Sequence, residues 1–165
     1  MTEAIKEFFL VTLGEEWCVF LCSLLPIIEL RGAIPLGATL GLPFWQCFLL
    51  SVVGNLLPVP LILLLIRWAL DVMKKIKFLS KFAFWLEQKA EKNRGKVERY
   101  AFWGLVLFVA IPLPGTGAWT GALVAGVMRM KFSKALGSIV LGVLPAGVIM
   151  TLISYGAVAA FAPLF

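Results

Sequence analysis

Glu29 and Arg31 stand two residues apart in "IIELRGAIP", residues 27–35, inside an otherwise apolar stretch. Charges in such surroundings are costly unless they are paired, wet or functional. Arg31 brings a fixed, multidentate donor suited to a phosphate or carboxylate. Glu29 brings the one carboxyl that could take up a proton and, in doing so, release the arginine. The bland alternative is a structural ion pair, or an arginine that donates to carbonyls freed by a break in the chain. A second stretch, "PLPGTG" at 112–117, gathers Pro114, Gly115, Thr116 and Gly117, with Thr120 just beyond. Proline and glycine unwind a helix, and the helix that restarts after them presents free N–H groups and a positive dipole end, a setting that favours anions. The restarts are expected near Gly32 and Gly117, with Pro35 and Pro114 in the scaffold and the two threonines adding hydroxyls. Asn55, in a long apolar segment, is a second-rank member of this substrate-binding set, with hydrogen bonding between helices as its alternative.

Composition says which solvent these residues meet. Hydrophobic residues make up 61% of the chain, mean hydropathy is +0.98 and histidine is absent, far from the roughly half-apolar make-up of a soluble domain. An all-α integral membrane protein follows. A crossing needs about 20 residues, so 165 residues hold roughly four to six membrane segments in a single domain. The N-terminus carries Glu3, Glu7, Glu15 and Glu16 against Lys6, the opposite of a basic signal-peptide start, so the first apolar segment is expected to stay. Cys18, Cys22 and Cys47 are an odd set in apolar segments and read as packing rather than a disulfide framework or a metal site. No cofactor is expected. Nor is an enzyme, since no nucleophile–base set is in view.

The charge is lopsided. Residues 67–99 hold ten basic residues against Asp71, Glu87, Glu91 and Glu98, a surplus of six that equals the net charge of the whole chain. Such a connection belongs in the cytoplasm under the positive-inside rule. Its apolar run around Phe78, Phe82 and Trp85 followed by a polar tail reads as an amphipathic helix at the headgroup level, with no nucleic-acid role. The domain therefore divides into an N-terminal amphipathic segment (1–16), a first repeat (17–70), the basic connection (71–100) and a second repeat (101–165).

Sliding the second half back by 88 positions superposes Pro26 on Pro114, Phe44 on Phe132, Gly54 on Gly142 and Leu56 on Leu144. Repeats interrupted in matching places point to a transporter site near the bilayer midplane. The arms 17–28 and 33–42, and 102–111 and 118–128, are each about half a membrane long, so each pair is expected to form a re-entrant hairpin followed by a membrane helix (44–67 and 132–155). Only a hairpin returns Arg129, Lys131 and Lys134 to the side of the basic connection. The two repeats would then have inverted topology, with hairpin tips meeting from opposite sides. Small residues Gly121, Ala125, Gly126, Gly137, Gly142 and Gly147 suggest close helix contact and a homodimer.

"ELRGAIP" and "PLPGTGAWTGAL" resemble the two signature stretches of the small multidrug export protein family, over nearly the whole chain. More distantly, "IPLPGTGAWTGALVAGVMRMKFSKALG" resembles the second hairpin of the DedA, or SNARE-associated, family, although Gly117 stands near the place where those proteins carry an arginine. The second resemblance implies translocation of an anionic lipid carrier such as undecaprenyl phosphate, a polyprenyl phosphate, across the inner membrane, coupled to protons at Glu29. Movement of that lipid is the leading expectation, and proton-coupled export of small molecules or drugs, which the first resemblance implies, is the alternative. A non-transport membrane scaffold is the third expectation.

Overall fold

The computed structural model describes residues 14–75, 94–113 and 115–161. Most of the expected N-terminal amphipathic segment, the middle of the basic connection with its expected surface helix, and Pro114 lie outside them. The described residues form helices and turns, with no strand. In chain order these are α1 (Glu15–Leu24), α2 (Glu29–Thr39), α3 (Phe44–Leu56), α4 (Val59–Lys75), α5 (Arg94–Ala110), α6 (Ala118–Val127) and α7 (Phe132–Phe161).

Two stretches are long and apolar enough to cross a membrane: Phe44–Ile66, 23 residues with mean hydropathy 2.5, and Phe132–Ala160, 29 residues with mean hydropathy 2.3. The expected single helix at 44–67 is in fact interrupted. Leu57 still donates to the Val53 carbonyl at 3.0 Å, but Pro58 and Pro60 have no N–H to carry the ladder on, and α4 begins afresh at Val59. α7 runs through Pro145 as one helix. The outward faces are greasy: Trp45, Leu49, Val53 and Leu57 repeat at intervals of four on an exposed stripe, the reverse of a soluble helix and the pattern a lipid-facing one requires.

Contacts divide the chain into two compact units, Met1–Pro58 with Val143–Phe165, and Val59–Gly142. In the first, α1 packs on α2, and both pack on α3. The later part of α7 joins them, with Gly147 against Phe48 and Val52. The Tyr155 hydroxyl donates to the Leu42 carbonyl at 2.7 Å, and its ring packs edge-on against Phe44. In the second unit, α6 packs on α4 and α5, and the early part of α7 meets them through Ile139 and Gly142.

Each unit has a glycine where a long helix touches the first arm of a helix pair. A Cβ on Gly54 would meet the Phe20 carbonyl oxygen of α1 at 2.7 Å, and one on Gly142 would meet the Val106 carbonyl oxygen of α5 at 2.8 Å. The ends of α2 and α6 also match, at positions 88 apart. Leu42 donates to the Gly37 carbonyl and Met130 to the Ala125 carbonyl, both at 3.0 Å, while Gly41 donates to Ala38 and Arg129 to Gly126. These are Schellman caps, which need a left-handed residue after the helix. Gly41 supplies it at φ 79°, and Arg129 takes it at φ 51° despite its side chain.

Four of the five glycines expected to mediate self-association are in close contact within the chain, Gly137 being the exception. Gly121 lies against Val109, Gly126 against Ile66, Gly142 against Val109 and Gly147 against Phe48.

Candidate functional site

Glu29 and Arg31 do meet, with Arg31 Nη1 donating to Glu29 Oε2 at 2.9 Å. Their side chains are only 8% and 14% exposed, so this is a charged pair removed from bulk solvent. Side chains at i and i+2 diverge on a regular helix; the backbone at Glu29 explains why these converge. α1 ends at Leu24, Leu25 is extended (ψ 135°), and its carbonyl accepts the N–H groups of Ile28 at 3.2 Å and Glu29 at 2.9 Å. Pro26 fits at the start of that turn, where no N–H is needed. Glu29 then adopts φ 50°, a left-handed conformation costing a β-carbon residue about 1–2 kcal/mol, before the ladder resumes with Gly32 donating to Ile28 at 2.9 Å.

The break therefore lies at 25–28, not around Gly32 as expected, and both charges sit in the first turn of α2. Gly32 has a packing role: a Cβ there would meet Ile28 Cγ2 at 2.6 Å. Pro35 lies inside α2, half-buried, one turn beyond Arg31.

The second tip unwinds where expected. α5 ends at Ala110 and α6 starts at Ala118, capped by extended Gly117 (φ −83°, ψ −167°). Gly115 takes φ 81°, a conformation open to glycine at little cost. Thr116 Oγ1 lies 2.8 Å from the Ile111 carbonyl and 2.9 Å from that of Leu113, and Thr120 Oγ1 donates to the Gly117 carbonyl at 3.1 Å. Both hydroxyls are thus engaged by backbone carbonyls of the tip, that of Gly117 also accepting the Gly121 N–H at 2.8 Å. Gly117 is buried, whereas Gly115 is exposed. Asn55 is fully buried in α3, in the same unit as Glu29 and Arg31.

Sequence reasoning missed Tyr155, whose only signal is a hydroxyl inside the apolar run of α7, and Gln46, whose amide donates to Glu16 and ties the start of α3 to the start of α1. Among the described residues no group of three or more His, Cys, Asp or Glu side chains could hold a metal. Cys18, Cys22 and Cys47 are all buried and form no disulfide.

Apolar exposed faces and two stretches long and apolar enough to span mark an integral membrane protein. Comparison with known families matches residues 29–149 to the family described as "Putative small multi-drug export protein". The match begins at Glu29, just after the first break, takes in the Glu29–Arg31 pair and the second tip, and the chain belongs to this family. It is the family anticipated from "ELRGAIP" and "PLPGTGAWTGAL"; the DedA likeness gains nothing from it. No curated protein and no solved structure matches the chain.

Proposed function

We propose that this chain is a proton-coupled transporter that exports small amphiphilic molecules, with Glu29 and Arg31 as the pair that links proton to substrate. The observation that carries this reading is their 2.9 Å contact inside an apolar unit. A deprotonated Glu29 holds Arg31. Protonation removes that partner charge and turns the guanidinium toward a substrate head group, so proton binding and substrate binding are linked at one pair. The family name, which describes export, supports the direction.

The architecture belongs to the same proposal. Each repeat would hold one re-entrant hairpin, α1–α2 or α5–α6, followed by a membrane-length stretch, Phe44–Ile66 or α7, and the two repeats would be inverted in the plasma (inner) membrane with the 71–100 connection cytoplasmic. The matching Schellman caps and glycine contacts 88 residues apart support a repeat, and short half-membrane helices with broken centres are the usual setting of midplane sites. We assign no catalytic residue. Self-association as a homodimer, if the protein uses it, would draw on surfaces other than the glycines already in contact within the chain.

A second reading, movement of an anionic lipid such as a polyprenyl phosphate between leaflets, is favoured by the place of Arg31 in the first turn of α2, where the helix dipole also attracts anions. A purely structural scaffold would show no substrate-dependent step at all. In proteoliposomes under a pH gradient, wild-type protein should move an amphiphilic dye at a rate that depends on the gradient. Glu29→Gln should still bind the dye yet lose that dependence, and unchanged dependence in this variant would sink the assignment. Stabilisation by polyprenyl phosphate, with no dye movement, would instead select the second reading.

A further inference from the structure

Asn55 is fully buried, and neither Nδ2 nor Oδ1 of its amide has a hydrogen-bond partner among the described residues. Buried polar groups are rarely left so, because the lost hydration is not replaced. The side chain points inward. α3 turns Trp45, Leu49 and Val53 outward at intervals of four, while Cys47, Ser51 and Asn55 repeat at the same interval on the buried side.

Two contacts fix its depth. Cys47 Sγ lies 3.6 Å from the Ile34 carbonyl of α2. From that contact, α3 descends about 12 Å over eight residues to Asn55, and α2, joined to it by a short turn, descends about 8 Å over five residues to Glu29. Independently, the Gly54 backbone touches Phe20 and Ser23 in the last turns of α1, directly before the turn that carries Glu29. Both routes bring Asn55 to within about one helical turn of the Glu29–Arg31 pair in depth.

We infer that Asn55 is the third polar group of this site, and that it selects substrates whose head group both donates and accepts hydrogen bonds. The inference rests on the transport reading and goes beyond it by naming the head-group chemistry. An amide offers two donors and an acceptor. A carboxylic acid, a primary amide or a phosphate monoester satisfies both sides of it and can also reach the guanidinium of Arg31. A quaternary ammonium can do neither: it leaves the amide unsatisfied and meets the like charge of Arg31. Sites built to hydrogen-bond a ligand reject analogues that lack the bonding group far more strongly than apolar pockets reject extra bulk.

The test uses the full chain in phosphatidylcholine nanodiscs at about pH 5, where desolvation in the bilayer keeps a fatty acid protonated so that it both donates and accepts, and three probes with one tail: dodecanoate in that protonated form, dodecyl phosphate and dodecyltrimethylammonium. Wild type should bind the first two in preference to the third. Asn55→Leu, which removes the unsatisfied amide while keeping its branched shape, should raise the ligand-free Tm by about 2–4 °C and weaken dodecanoate binding about tenfold or more. A merely structural asparagine would give the opposite sign: lower Tm in both Asn55→Leu and Asn55→Ala, with probe affinity unchanged, and that result overturns the inference. Arg31→Ala separates the two claims. Loss of dodecanoate binding there but not in Asn55→Leu removes Asn55 from the site and leaves the transport reading standing. Failure of wild type to bind either acid probe overturns both.

Discussion

At the scale of single residues, the informative question is whether Glu29 and Arg31 are kept for stability or for work. A buried pair is weak evidence of stability, because its mutual attraction is offset by the cost of taking both charges out of water. Removing one partner leaves the other buried and uncompensated, which costs about 3–5 kcal/mol, whereas replacing both with apolar side chains of similar size is often neutral. Glu29→Leu and Arg31→Leu should therefore each lower folded yield, and Glu29→Leu/Arg31→Leu should recover it. The double variant should nonetheless fail to move any substrate in proteoliposomes. Recovery of both fold and transport would reduce the pair to a structural contact. The pair itself was legible as two charges in an apolar run; how they meet was not, because the left-handed backbone at Glu29 is a choice no residue type there announces. Glycine would be the usual signal for such a conformation, and the glycine in the motif, Gly32, serves the Ile28 contact instead.

At the scale of elements, prolines stand at each of the breaks, although α2 and α7 run through Pro35 and Pro145 unbroken. Pro112 and the glycines around Thr116 marked the second tip correctly, and Pro26, the counterpart of Pro114 at a spacing of 88, marks the first. Placing that break at Gly32 gave weight to a residue that packs rather than turns. The interruption after Leu56 was missed, although Pro58 and Pro60 each remove a donor from the ladder. The small-residue pattern revealed close approach without revealing to what: Gly54 and Gly142 each admit a backbone carbonyl of a neighbouring helix. Alanine at either should force that helix away and cost about 1–3 kcal/mol, as overpacking does. Gly104 in α5 has nothing within 4 Å of a built Cβ, so Gly104→Ala should be neutral or gain about 0.5–1 kcal/mol from helix propensity. Thermal unfolding of the three variants in one detergent reads the contrast directly, and equal effects at all three would remove the close-contact account.

At the scale of the whole molecule, the sequence carries a topological argument that the helix lengths sharpen. α5 reaches an apolar stretch only from Tyr100 to Ala110, and α6 spans ten residues from Ala118 to Val127. At 1.5 Å per residue each covers about 15–17 Å, roughly half of a 30 Å hydrocarbon core. Two such helices in line would cross once, carrying Arg129, Lys131 and Lys134 to the side opposite the basic connection. Folded back on each other, they cross not at all. Packing of α6 on α5 within one unit supports the folded-back arrangement, and the charges favour it as well, because lysines and arginines flanking membrane segments collect on the cytoplasmic side. The two ends of the pair, Tyr100 and Lys131, are both exposed residues and can be replaced without touching the packed interior. Tyr100→Cys and Lys131→Cys, each in a background with Cys18, Cys22 and Cys47 changed to alanine, should both resist a membrane-impermeant maleimide in intact cells and both react in inverted vesicles. Labelling of position 131 from outside while position 100 reacts only from inside would mean that α5 and α6 together cross the membrane once, and the re-entrant hairpin, with the inverted repeat built on it, would have to be given up.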